Sequence, residues 1–93
     1  MIQPALRLRG ILNEPNGRVR DVVATLFEPV RNEGQNDWSC IIQCPDIREG
    51  TIQVAGVDAT QALELAEALV RELLTHKGAR IVERSTDSDA PNP

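Results

Sequence analysis

Residues 58–78, DATQALELAEALVRELLTHKG, are the stretch on which the fold turns. Apolar side chains recur at Ala59, Ala62, Leu63, Ala66, Leu69, Val70, Leu73 and Leu74, at spacings of three and four. That periodicity predicts one apolar stripe on a helix about five turns long, from Ala59 to Lys77. Asp58 is placed to cap its start, with Gln61 three residues on in a capping-box arrangement. Lys77 in the last turn and Gly78 just beyond it suit a helix C-terminus. Glu67 and Arg71 stand at i,i+4 on the outer face, in the favourable orientation.

Everything upstream follows a different period. Residues 5–12 alternate apolar and basic, the pattern of a half-buried strand. Asn16-Gly17 then signals a hairpin, because both residues tolerate positive φ. A second strand is expected from Arg18 to about Glu28 and is stopped by Pro29, which cannot donate to a ladder. Residues 30–36 are expected as a polar loop. Asp37–Cys44 and Thr51–Gly56 are the third and fourth strands. Gly10 inside the first strand predicts a bulge or a close backbone approach. Arg80–Arg84 is a candidate fifth strand, and residues 85–93 are expected as a disordered acidic tail beyond a single domain of residues 1–84.

The expected fold class is therefore α+β: a four-stranded antiparallel meander followed by one long helix packed on one sheet face, ββββα. With the hairpin turn at Asn16-Gly17, the helix-facing side collects Leu6, Leu8, Val19, Val23, Phe27, Trp38, Cys40, Ile42, Ile52 and Val54. The other side carries Arg7, Arg9, Arg18, Arg20, Val22, Ala24, Leu26, Ile41, Gln43, Gln53 and Ala55. Val22, Leu26 and Ile41 then form an apolar patch that one helix cannot reach, a candidate interface. The expected occupant is a second copy of the chain, because twofold dimers are the commonest soluble oligomers. A one-residue slip of the hairpin would exchange the faces of one strand.

Charge and composition narrow the function further. The 93 residues hold 10 Lys+Arg against 14 Asp+Glu, a formal net charge of −4, which argues against a general nucleic-acid binder. The first 20 residues carry four arginines against Glu14, a net of +3, while residues 21–50 carry six carboxylates against two arginines. Arg7, Arg9, Arg18 and Arg20 are thus the candidate anion-binding set, an alternative function in which the first hairpin holds a small anionic ligand or phosphate group. Phe27 and Trp38 are the only aromatics, so no stacking platform for bases accompanies them.

No phosphate loop, G-x-G-x-x-G or H-E-x-x-H occurs, and no catalytic constellation is found, so a non-enzymatic role without cofactor is expected. His76, four residues after Glu72, is explained by a favourable charge near the helix C-terminus. Cys40 and Cys44 lie on one strand, about 13 Å apart. That is beyond disulfide reach, and a metal site would need two further ligands, so both are expected as buried thiols. Apolar runs stop at three or four residues, too short for a membrane span. The opening Met1-Ile2-Gln3-Pro4 lacks the basic and apolar segments of a secretory signal, so a cytoplasmic location is expected. Nine arginines against one lysine, with abundant Ala and Val, point to a G+C-rich, bacterial source.

Two motifs look familiar together. The W-x-C strand at Trp38–Ile42 and the G-x-D-x-x-Q-A-L-x-L-A helix opening at Gly56–Ala66 resemble a family of small uncharacterised bacterial proteins, a domain of unknown function. The resemblance covers roughly residues 37–74. It implies a compact meander-plus-helix domain and carries no activity with it.

Overall fold

A computed structural model describes residues 3–86 of the chain. The strands are β1 (Pro4–Asn13), β2 (Val19–Phe27), β3 (Val30–Arg31), β4 (Trp38–Gln43), β5 (Thr51–Gly56) and β6 (Ala79–Thr86), with one helix, α1 (Ala59–Lys77). The class is α+β with an antiparallel sheet, but the described residues hold six strands where four were expected. β3 arises inside the expected loop, where the chain resumes pairing with β4 beyond Pro29, Val30 opposite Ser39. β6 returns from the helix to pair antiparallel with β1. Across the sheet the order is β5, β4, then β2 with its short continuation β3, then β1 and β6.

The helix occupies the span its periodicity predicts. Asp58 Oδ1 accepts from Gln61 N–H at 2.7 Å, which satisfies one orphan donor of the first turn, and Gln61 Oε1 reaches back to accept from Val57 N–H, just before the cap, at 2.8 Å. Gly78, with φ 96°, donates its N–H to the carbonyls of Leu74 and Thr75 and ends the helix in the left-handed region. Ala62, Ala66, Val70 and Leu74 form the fully buried i,i+4 row, and Leu63, Leu69 and Leu73 flank it half-buried. Small residues on that row bring the helix close to the sheet. At Gly56 there is no room for a side chain: a Cβ would stand 2.5 Å from the backbone nitrogen of Ala62.

One face assignment is overturned. The core under the helix is built from Leu6, Leu8 and Leu12 of β1, Val22, Ala24 and Leu26 of β2, Cys40 and Ile42 of β4, and Cys44 just beyond it. β2 is therefore turned over relative to the expectation: Val22 and Leu26 are buried under α1, while Val19 and Val23 are exposed on the other side. The cause is the chemistry of the turn. A two-residue Asn16-Gly17 loop would make Pro15 and Arg18 the closing pair, and proline has no N–H to give. The chain closes one residue earlier instead. Glu14 N–H donates to Arg18 O at 2.8 Å, Gly17 N–H donates to Glu14 O at 3.0 Å, and Gly17 takes φ 86°. Pro15, Asn16 and Gly17 make a three-residue loop ending in a left-handed glycine, and the register moves by one to Leu8↔Ala24 and Leu12↔Arg20.

Gly10 meets both parts of its expectation. The β1–β6 register shifts between Arg9 and Gly10, and a Cβ at Gly10 would lie 3.2 Å from the Arg80 carbonyl. Beyond the bulge, Arg84 of β6 reaches back to the helix. Its guanidinium bonds both carboxylate oxygens of Glu67, at 2.9 and 3.2 Å, while Arg71 bonds the same carboxylate at 2.8 and 3.0 Å. Arg84 foremost, with Arg71, holds the Glu67 carboxyl below its ordinary value.

A carboxyl depressed in the folded state stabilises above its unfolded value and loses that contribution as pH falls through its folded one. Glu67→Gln should therefore lower the melting temperature at neutral pH, with the gap to wild type closing as pH drops below the ordinary 4.5. A gap that persists unchanged in acid would contradict this. β6 runs to Thr86, two residues into the segment expected as tail; residues 87–93 lie outside the described residues. No helix among the described residues is long and apolar enough to cross a membrane.

Candidate interaction face

The helix covers one side of the sheet, and the opposite side is where the sequence placed both candidate sites. Odd-numbered residues of β1, β2, β4 and β5 point there. Its larger apolar residues are Ile11, Val19, Val23, Phe27, Val30 and Ile41, with Val19 63% and Val23 38% exposed. Val23 stands opposite Arg9, and Ile11 opposite Asp21, so Ile11 and Val23 are diagonal neighbours across the β1–β2 pair. Phe27 and Ile41 line a shallow hollow of about 270 Å³ with Gln43 and Thr51. Of the three expected interface residues, Ile41 is on this face, half-buried, while Val22 and Leu26 are in the core. The apolar patch exists, but Val23 and Phe27 supply what Val22 and Leu26 were expected to supply.

The same inversion divides the four arginines. Arg7 and Arg9 point to the open face, whereas Arg20 pairs with Leu12 and points to the helix side. There its guanidinium stands 3.6 Å from both Glu14 and Asp46. Arg18 lies in the turn, its backbone N–H donating to Asn16 Oδ1. Arg9 is flanked on both sides, by Asp21 at 3.2 Å and by Glu83 at 3.1 Å. The hydrogen bond to Glu83, with the charge of Asp21, raises the Arg9 guanidinium above its ordinary value. An anion approaching Arg9 would have to displace two carboxylates, so the expected anion-binding set is not assembled.

A polar cluster that the sequence reading missed occupies the β3–β4 end of this face. Ser39 is 1% exposed; its hydroxyl donates to Asn32 Oδ1 at 2.9 Å and accepts from Gln53 Nε2 at 2.8 Å. Asn32 Nδ2 donates in turn to Asp37 Oδ1 at 3.1 Å. The Ser39 proton is committed to an amide oxygen and not to a base, so the cluster braces the hairpin and does not activate a nucleophile. Ser39 shares this side with Ile41 by strand alternation, and its partners come from a loop and a neighbouring strand. A second concavity, about 420 Å³, is lined by Arg31 at the end of β3 and by the loop from Asn32 to Asn36, and offers no apolar anchor.

Both cysteines are buried in the core. Burial pushes the Cys40 thiol up to about 11 and raises Cys44 likewise, and the Cys40 S–H donates to the Phe27 carbonyl at 3.3 Å. Both are held as neutral thiols, with little thiolate character to serve as nucleophile.

No family model matches the chain, and no match is found among curated proteins or solved structures.

Proposed function

We propose that this domain is a non-enzymatic protein-interaction module that pairs with a second copy of itself through the open face of its sheet. The observation carrying this reading is the apolar series Ile11, Val23, Phe27 and Ile41 on a sheet side that no described element covers. Apolar side chains gathered on one side of a small domain mark an interaction surface. Five strand positions at about 4.8 Å make a face roughly 24 Å wide. Its footprint is of the order of the ~800 Å² per partner that a stable complex buries.

Charge favours a like partner. Arg7 and Arg9 stand on the same side as Asp21, and Glu83 closes on Arg9 from the edge. A surface with both signs is complementary to itself about a twofold axis, whereas a single-sign face would repel its own copy. Membership of the bacterial family that the W-x-C strand and helix opening resemble belongs to the same proposal and adds no activity to it.

Light scattering behind size exclusion tests the pairing. Wild type should run above the mass of one chain at high micromolar concentration. Val23→Asp should halve that mass while leaving the circular dichroism unchanged. A wild-type protein that stays a single chain at that concentration would sink the reading.

A further inference from the structure

The two edges of the sheet are built differently. β6 carries Arg80, Glu83 and Arg84 and is interrupted by the register shift opposite Arg9 and Gly10. Charges and a bulge are the usual defences of an edge strand against pairing with another chain. β5, Thr-Ile-Gln-Val-Ala-Gly from Thr51 to Gly56, has neither. It contains no charged residue and no proline, and it pairs with β4 in unbroken register over all six residues, Thr51↔Gln43 to Gly56↔Trp38. Among the described residues β4 is its only partner, so every second N–H and C=O along the strand points outward into an open ladder.

Apolar surface runs along the same edge. Ile52 and Val54 point toward the helix side yet remain half-buried, because the helix meets them from one direction only. Glu67 reaches Arg84 on β6, so the opposite flank of the helix, about 200° around, lies toward β5. That flank holds Leu65, 45% exposed, and the half-buried Leu69. An open ladder beneath an apolar margin requires a strand as its occupant.

We infer that the occupant is β5 of a second copy, added antiparallel about a twofold axis through Gln53. This interface is separate from the face pairing proposed above and does not rest on it. The register follows from the strand itself. Centring the axis on Gln53 sets Ile52 opposite the partner's Val54, twice, on the helix side. It sets Thr51 opposite the partner's Ala55, also twice, on the open side, with the two Gln53 amides facing each other. No charge meets a like charge. A twofold axis perpendicular to the sheet keeps both helices on one side, where the Leu65–Leu69 flanks come together. Two sheets of five strand positions become one of ten.

The register makes a charge test available at two exposed positions. Thr51→Lys/Ala55→Lys places lysine opposite lysine at both cross-strand pairs, whereas Thr51→Glu/Ala55→Lys places opposite charges at the same pairs. By light scattering, the Lys/Lys variant should have half the mass of wild type, and the Glu/Lys variant should keep the wild-type mass. Both are made in the Val23→Asp background as well, where the open face is disabled, and a difference between them there reads the edge alone. Equal masses for the two variants, whether wild-type or halved, would overturn the inference. Val23→Asp reads the face separately. If the face reading fails and the edge holds, wild type is a pair, Val23→Asp stays a pair, and only the Lys/Lys variant becomes a single chain.

Discussion

Val22→Asp should leave the chain unfolded at room temperature, in the same buffer in which Val23→Asp gives native circular dichroism and a cooperative melt. The two positions are adjacent and chemically identical. Val22 is 1% exposed beneath the helix, among core residues that offer no cation, while Val23 is 38% exposed on the open face opposite Arg9. A carboxylate at 22 loses its hydration without a partner, a cost of several kcal/mol even after it takes up a proton. Small domains have only about 5–15 kcal/mol in total. The register expected from a two-residue hairpin loop makes the opposite forecast, with 23 intolerant and 22 free. One pair of thermal melts therefore decides which way β2 faces.

Gly56→Ala should be nearly as damaging, although it adds a single methyl group. The new Cβ would stand 2.5 Å from Ala62 N, 2.7 Å from Ala62 Cα and 3.0 Å from Gln61 C. All three are backbone atoms of the first helical turn, so no side-chain rotation can make room. Relief requires lifting the start of α1, which opens the contacts of Ala62 and Ala66 and disturbs the Asp58–Gln61 cap. Overpacking of cores costs about 1–3 kcal/mol where side chains can adjust. Here the upper end or more is expected, read as a loss in the urea midpoint with an unchanged slope. Gly34→Ala is the contrasting substitution. Nothing lies within 4 Å of its would-be Cβ, and only its φ of 77° opposes the change. A Gly56→Ala midpoint as high as that of Gly34→Ala would refute the close-approach argument.

The helix was legible to the residue, because its stripe, cap and terminal glycine agree with one another. β1, β4 and β5 were legible within one or two residues, and so was the side each turns to the helix, since alternation alone decides it. β2 was legible as a strand but not in its orientation, because Val19–Phe27 is apolar on both sides. Its facing therefore rested on the hairpin loop. The signal that decides the loop was present in Pro15, whose missing N–H forbids the shorter closure. β3 and β6 were harder for opposite reasons. Two residues past a proline make no pattern, and β6 mixes charges with apolar residues because it is an edge bearing a bulge.

The candidate site inherited that one error. Val22 and Leu26 went to the wrong side, and the four arginines appeared to gather where the fold separates them. Ile41 was placed correctly, since the facing of β4 did not depend on the hairpin. The Ser39–Asn32–Asp37 brace and the undefended β5 edge could not be read from spacing. The first depends on which loop residue meets which strand. The second depends on which strand lies outermost, and that follows from β6 docking on β1 at the far side.

The position of β1 between β2 and β6 also orders events in time. The Arg9–Glu83 contact spans 74 residues, and the whole β1–β6 ladder joins the first strand of the described residues to the last. A chain emerging N-terminus first can form the β1–β2 hairpin at once, but one side of β1 waits until β6 follows the helix. Until then its leucines and open backbone are a pairing site for any neighbouring strand. Closing a loop of that length is entropically slow, so the last eight described residues govern how long the nascent domain stays adhesive.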